Sequence, residues 1–151
     1  MAKIKTEIKI SIRIPRIIFD LRNADPKLLA KIEGALETLD ASIKVIGEGL
    51  QDIPHVFSLE QALEEADIWV YLSDKLPKDF SLVVKNHIVP VMSEAANPKA
   101  RNYDPVNESG NSFLFPKSEA WHIYGSVVRA IENFSFSHDW QNLVGSGRKL
   151  I

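Results

Sequence analysis

The run Ile68-Trp69-Val70-Tyr71-Leu72 has neither a charge nor an apolar/polar alternation. A strand with one solvated face alternates, whereas a strand covered on both faces does not, and parallel sheets with helices above and below supply that second environment. The run therefore predicts a central strand of an α/β sheet. Immediately upstream, Ser58 is a capping hydroxyl with Gln61 three residues on as its capping-box partner, which predicts a helix running through Ala66. Further upstream, Arg16-Ile17-Ile18-Phe19-Asp20-Leu21 is a second buried strand, followed by Asp25 as N-cap and Pro26 at the first helical position. Leu28, Leu29, Ile32, Ala35, Leu36 and Leu39 then form one helical stripe. Ser42-Ile43-Lys44-Val45-Ile46 is a short strand halted by Gly47-Glu48-Gly49.

Downstream, residues 80–85 form a weaker helix that Asn86 can end, and Ile88-Val89-Pro90-Val91-Met92 is a strand whose proline marks a sheet edge. Residues 93–111 show little periodicity, and loops of that length in compact domains are usually functional or mobile. Residues 112–115 make a last strand. Ser118 caps a helix carrying Trp121, Tyr124, Val127, Val128, Ile131 and Phe134 on one face. A final helix spans residues 138–144, and residues 145–151 are expected to fray. Trp121, Tyr124 and Trp140 are expected in the core, or at a seam where a second domain once packed. At the other end, Ile8, Ile10, Ile12 and Ile14 alternate with polar residues, which predicts an N-terminal edge strand within a 1–15 extension. That strand either pairs with a second copy of the chain or folds back across the Pro15 bend.

The alternation of strands and helices predicts a single α/β domain over residues 1–151, in three Rossmann-like layers around a mainly parallel sheet, plus the N-terminal edge strand. The short piece His55-Val56-Phe57 follows Gly49 too closely for a helical crossover, so it is not expected beside the Ile43 strand as a parallel neighbour. Composition agrees with a globular domain: 151 residues, 45% hydrophobic and 25% charged. Eighteen basic against twenty acidic residues give a net charge of -2, which argues against a nucleic-acid-binding domain. With no cysteine, thiolate metal sites and thiol nucleophiles are excluded. The four histidines are scattered without metal-ligand spacing, and no G-x-S-x-G elbow or P-loop occurs, so no metal and no catalytic residue is assigned. The N-terminus does not read as a signal peptide and no run is long enough for a membrane span, so a cytoplasmic protein is expected.

Ligands of parallel α/β sheets bind beyond the carboxyl ends of the strands, here residues 22–27, 47–49, 73–74 and 93–94. The motifs around those positions resemble the C-terminal Rossmann-like domain of GT-B glycosyltransferases of the retaining, glycogen-synthase-like kind. The likeness runs through Ile17-Ile18-Phe19-Asp20-Leu21-Arg22 with Lys27, and then Ile43-Lys44-Val45-Ile46-Gly47-Glu48-Gly49. It continues in Ala66-Asp67-Ile68-Trp69-Val70-Tyr71-Leu72-Ser73, Ile88-Val89-Pro90-Val91 and Gly110-Asn111-Ser112-Phe113-Leu114-Phe115-Pro116. The resemblance implies that Arg22 and Lys27 hold a sugar-nucleotide diphosphate, and the strand-end positions Gly47, Gly49, Ser73, Ser93 and Glu94 are the further candidates for the binding site. No cofactor is implied beyond a nucleoside-diphosphate sugar as ligand.

The departures point away from catalysis. The positions of the family's two donor-site glutamates fall near Leu76 and Val83, Leu21 replaces the glycine before the arginine, and no N-terminal acceptor domain is encoded. The expected function is therefore a glycosyltransferase-like domain that binds a nucleotide or nucleotide sugar without autonomous catalysis. The alternatives are the donor-binding subunit of a split glycosyltransferase, partnered by a separate acceptor-domain protein, and an assembly protein that self-associates through residues 8–14.

Overall fold

The structure, a computed structural model, describes residues 13–151. Five strands, β1 (Arg16–Asp20), β2 (Ser42–Ile46), β3 (Ile68–Tyr71), β4 (Val89–Ser93) and β5 (Phe113–Phe115), make one sheet in the order β2-β1-β3-β4-β5. Every pairing is parallel, with Phe19 opposite Val45 on one side and Val70 on the other. The α/β layered fold expected from the sequence is the one observed. Three helices, α1 (Pro26–Leu36), α4 (Ala120–Phe134) and α5 (Ser137–Ser146), cover one face, where Leu28, Ile32, Ile123, Val127 and Leu143 meet Ile17, Phe19 and Val91. The short helices α2 (Leu59–Leu63) and α3 (Phe80–Lys85) cover the other, against Ile18, Trp69, Tyr71 and Met92. β3 is fully buried along its length, as its uninterrupted apolar run requires.

Local signals decide the best-formed ends. Asp25 caps α1 by accepting from the Lys27 N–H at 2.9 Å, with Pro26 at the first helical position. Ser58 caps α2 by accepting from the Gln61 N–H at 3.2 Å. That helix stops at Leu63 rather than Ala66, because the Asp67 N–H donates to the Arg16 carbonyl at 2.8 Å and the chain must already be extended there. α4 begins at Ala120 with Glu119 at its cap. Ser118, expected as the cap, donates its hydroxyl to Asp74 instead, at 3.4 Å.

Three expectations about the sheet and the tail are corrected. Pro90 does not mark an edge, since β4 lies between β3 and β5. Its neighbour Val89 donates to the Asp67 carbonyl on the β3 side, so the alternation of a strand turns the Pro90 nitrogen toward β5. β5 pairs only from Val91 onward, where Phe113 stands opposite, so the missing donor has no acceptor to disappoint. His55, second, is a parallel neighbour of β2 after all. It forms a single bridge to Val45, with the Val45 N–H donating to Pro54 and the Val56 N–H to Val45, both at 2.9 Å. Left-handed turns at Gly47 (φ 96°), Gly49 (φ 117°) and Leu50 (φ 52°) bring the chain back without a crossover helix. Counting that bridge as a vestigial strand outside β2, the order becomes the dinucleotide-binding 3-2-1-4-5-6. Third, residues 145–151 do not form a frayed tail. α5 runs to Ser146, a 3₁₀ turn follows over Gly147–Leu150, and Leu150 is buried with its carbonyl accepting from Asn97 Nδ2 at 3.1 Å.

The long connection 93–111 is organised by side-chain amides where a ladder or helix would otherwise serve. Asn111 accepts from the Arg101 N–H at 2.9 Å, and its Nδ2 donates to the Lys99 carbonyl. Of the edge strand expected over residues 8–14, only Arg13 and Ile14 lie within the described residues, and neither is in a strand.

At the amino edge of the sheet, Asp67 accepts from the Arg13 and Arg16 guanidinium groups at 3.0 and 3.2 Å and from the Arg16 N–H at 2.9 Å. Burial alone would raise the Asp67 pKa, but the hydrogen bonds from Arg13 and Arg16 outweigh it and hold the carboxyl below its usual range. A carboxylate whose folded pKa is depressed contributes stability above its unfolded pKa and loses it as pH falls through the folded value. Urea midpoints should therefore decline as pH drops below about 4, and Asp67→Asn should flatten that decline while lowering stability at pH 7.

Candidate functional site at the switch point

The chain leaves β1 toward β2 on one side and continues to β3 on the other, so the crevice for a ligand opens beyond the carboxyl ends of β1 and β3. Asp20 ends β1 there and is completely buried (0% exposed). Alternation along the strand turns its side chain to the α2/α3 face, where Trp69 Nε1 donates to Oδ2 at 3.0 Å. Arg22 folds back on the same carboxylate, donating from Nε to Oδ1 at 2.9 Å and from Nη2 to Oδ2 at 2.7 Å, and its backbone N–H adds a bond at 3.2 Å. The outer edge of the guanidinium is held by Asp79, just before α3, with Nη1 and Nη2 donating at 3.0 and 3.1 Å. These bonds occupy every guanidinium N–H but one. The hydrogen bond to Asp20, opposed by burial and reinforced by Asp79, raises the Arg22 pKa further above its ordinary value, so the group is a permanent cation. Trp69 is stacked on Tyr71 with ring centroids 5.0 Å apart, which fixes the indole that donates to Asp20.

The residues singled out in the sequence gather at this edge in two groups. Arg22 shares a cleft of about 660 Å³ with Gly47, Glu48 and Gly49. A Cβ on Gly47 would sit 3.3 Å from the Arg22 nitrogen, so the exit of β2 lies directly against the exit of β1. His55 Nε2 lies 2.9 Å from the Gly49 carbonyl and braces the turn, a role with no motif behind it. Leu21 forms part of the cleft wall but is 4% exposed and packed into the core on the α1 side. Lys27 lies elsewhere. It lines a second cleft with Lys31, Ser118, Trp121 and Tyr124, so the structure does not bring Arg22 and Lys27 into one cleft. Farther along the edge, the Ser73 hydroxyl accepts from the Lys75 N–H at 3.3 Å and the Ser93 hydroxyl from the Ala95 N–H at 3.2 Å. Each keeps its own O–H proton to donate. Glu94 is exposed, tied to β5 through its N–H and the Phe115 carbonyl at 3.1 Å.

Trp121 is 82% exposed, which removes the core alternative for it and leaves that of a seam, with its ring edge to face with Tyr124 at 6.3 Å. Trp140 is half-buried against Phe134. Of the two positions that the resemblance sets against donor-site glutamates, Val83 is fully buried and Leu76 packs, partly buried, on the same cluster. Among the described residues no three acidic or histidine side chains gather to hold a metal ion, and no helix is long and apolar enough to cross a membrane.

Comparison with known proteins gives one short likeness. Over 41 residues, 27% of the chain, it is 44% identical to Glycogen synthase 1 of Synechocystis sp.. The likeness, to a part of a glycogen synthase, hints at a glycosyltransferase-like relationship, and the matching segment spans 9% of that protein. No protein-family model matches the chain.

Sequence reasoning missed Asp20, Trp69 and Asp79. An aspartate ending an apolar strand two residues before an arginine is a readable signal for the first. Asp79 lies 57 residues from Arg22 and has none. Arg22→Ala should cost about 3–5 kcal/mol, because it strands the buried Asp20 carboxylate. Asp79→Asn, breaking a half-exposed pair, should cost at most about 1 kcal/mol. Urea denaturation of the two variants measures the difference.

Proposed function

We propose that the chain is a glycosyltransferase-like domain that binds a nucleotide or nucleoside-diphosphate sugar at the carboxyl edge of its sheet and carries out no group transfer alone. The observation that carries this reading is the cleft at the β1 and β2 exits. There a fixed cation, Arg22, stands beside the left-handed turn of Gly47 and Gly49, on the carboxyl edge of the sheet and next to the β1/β3 switch point where parallel α/β sheets receive ligands. The short likeness to a glycogen synthase supports the ligand class. The glycines let the turn pack closely against Leu21, Arg22 and Leu29 beside the cleft, and an arginine fork suits a phosphate better than a point charge does. The hydroxyl of Ser73, with the carboxylate of Glu94, extends the same edge with polar groups fit for a ribose or a sugar, while the Ser93 hydroxyl, 2% exposed, supports the loop beneath them.

The apolar, inward Val83 and Leu76 support a binding role over a catalytic one, since neither offers a carboxylate to a donor sugar. Lys27 faces the neighbouring cleft beside Trp121 and would act on the ligand only from that side.

Titration calorimetry with UDP, GDP, ADP and their glucose conjugates tests the reading. Heat is expected with at least one diphosphate, weakened about tenfold or more by Arg22→Lys, which keeps the charge but loses the fork. Absence of heat with every nucleotide would overturn it.

A further inference from the structure

We infer that Asp79 is an internal competitor for the phosphate position, and that nucleotide binding exchanges its carboxylate on Arg22 for a phosphate. The inference rests on the nucleotide-binding reading above and names the residue that limits that site.

Arg22 has two carboxylate partners in unlike settings. Asp20 is sealed from solvent and is held by the Trp69 indole as well as by Arg22. Removing it from Arg22 would leave a buried charge without its counterion, so this partner is permanent. The Asp79 side chain is 35% exposed, and its bonds to Arg22 join groups that are both partly in water. Pairs of that kind hold weakly and yield to a stronger competitor.

The backbone around Asp79 gives a second, independent sign. Asp79 occupies the residue before α3, where an aspartate ordinarily accepts from the helix's first N–H groups. Here its φ and ψ are -93° and 15°, and it makes no side-chain capping bond. The carboxylate is turned from the helix it precedes to the Arg22 fork across the crevice, with Nη1 and Nη2 taken in a bidentate pair. That is the geometry in which an arginine receives a phosphate. With both aspartates in place the trio carries a net negative charge and repels an anion. With Asp79 released, Asp20 and Arg22 cancel, and the Nη1 and Nη2 N–H groups that Asp79 held are free to take another anion beside the cleft that Arg22 lines with Gly47 and Gly49. No covalent change is involved, only the exchange of one anion for another on the same pair of N–H groups.

The test compares the unaltered chain with Asp79→Asn by calorimetry, using UDP, uridine and inorganic pyrophosphate as probes. The substitution keeps the side chain's volume and removes its charge, and the half-exposed position tolerates it. UDP and pyrophosphate should bind at least about fivefold tighter to the variant, with uridine unchanged. An equal gain for uridine, or no gain for UDP when the unaltered chain binds it, overturns the competitor role and leaves the nucleotide reading standing. A gain for pyrophosphate with no binding of UDP, GDP or ADP to either protein supports the competitor role and overturns the nucleotide reading. No binding of pyrophosphate or of any of these nucleotides to either protein overturns both.

Discussion

A carboxylate sealed from water must be surrounded by donors, and Asp20 meets that demand at the carboxyl end of β1. Trp69 reaches it from the neighbouring strand, and Arg22 reaches it by folding back over the end of its own. The consequences spread in order. Trp69 must stack on Tyr71 to present its nitrogen, which orders the α2/α3 face of β3. Arg22 must leave β1 in one direction, which fixes the turn into α1 and brings its backbone against Gly47. The shape of the crevice at the β1 and β3 exits therefore follows from satisfying one buried charge.

The same constraint explains why the edge of this sheet is chemically restrained. An arginine free of partners is a ready anion receptor, while one clasped between two aspartates is close to a structural strut. The carboxyl edge is that of a parallel α/β sheet, where ligands are commonly received, but its electrostatics are balanced by its own side chains. The chain's near-neutral composition, with a net charge of -2, repeats that balance at large scale.

What was legible in the sequence were features whose cause is local. The Asp25 and Pro26 start of α1, the Ser58 cap of α2 and the Asn86 end of α3 each depend on residues within one turn of one another. The unbroken apolar run of β3 showed that both of its faces are covered. Features caused by distant partners were not legible. Ser118 has the chemistry of a cap but spends its hydroxyl on Asp74, 44 residues away. Trp121 falls on a helical stripe with Tyr124 yet points to solvent, because periodicity gives a side chain's direction and not whether anything lies there. The arginine of the candidate site was visible, but its two carboxylate partners were not, and they decide what it can hold.

The lone bridge between Val45 and His55 shows where this architecture can change size. It lies outside β2, with β2 and β1 standing between it and the crevice. A full strand with its crossover helix could grow there, or the last rung could vanish, without touching β1 or β3. The outer margin of the sheet would then be felt at the cleft through one contact, the His55 ring on the Gly49 carbonyl, so a change of length there acts on the Gly47–Gly49 turn and on nothing nearer the switch point.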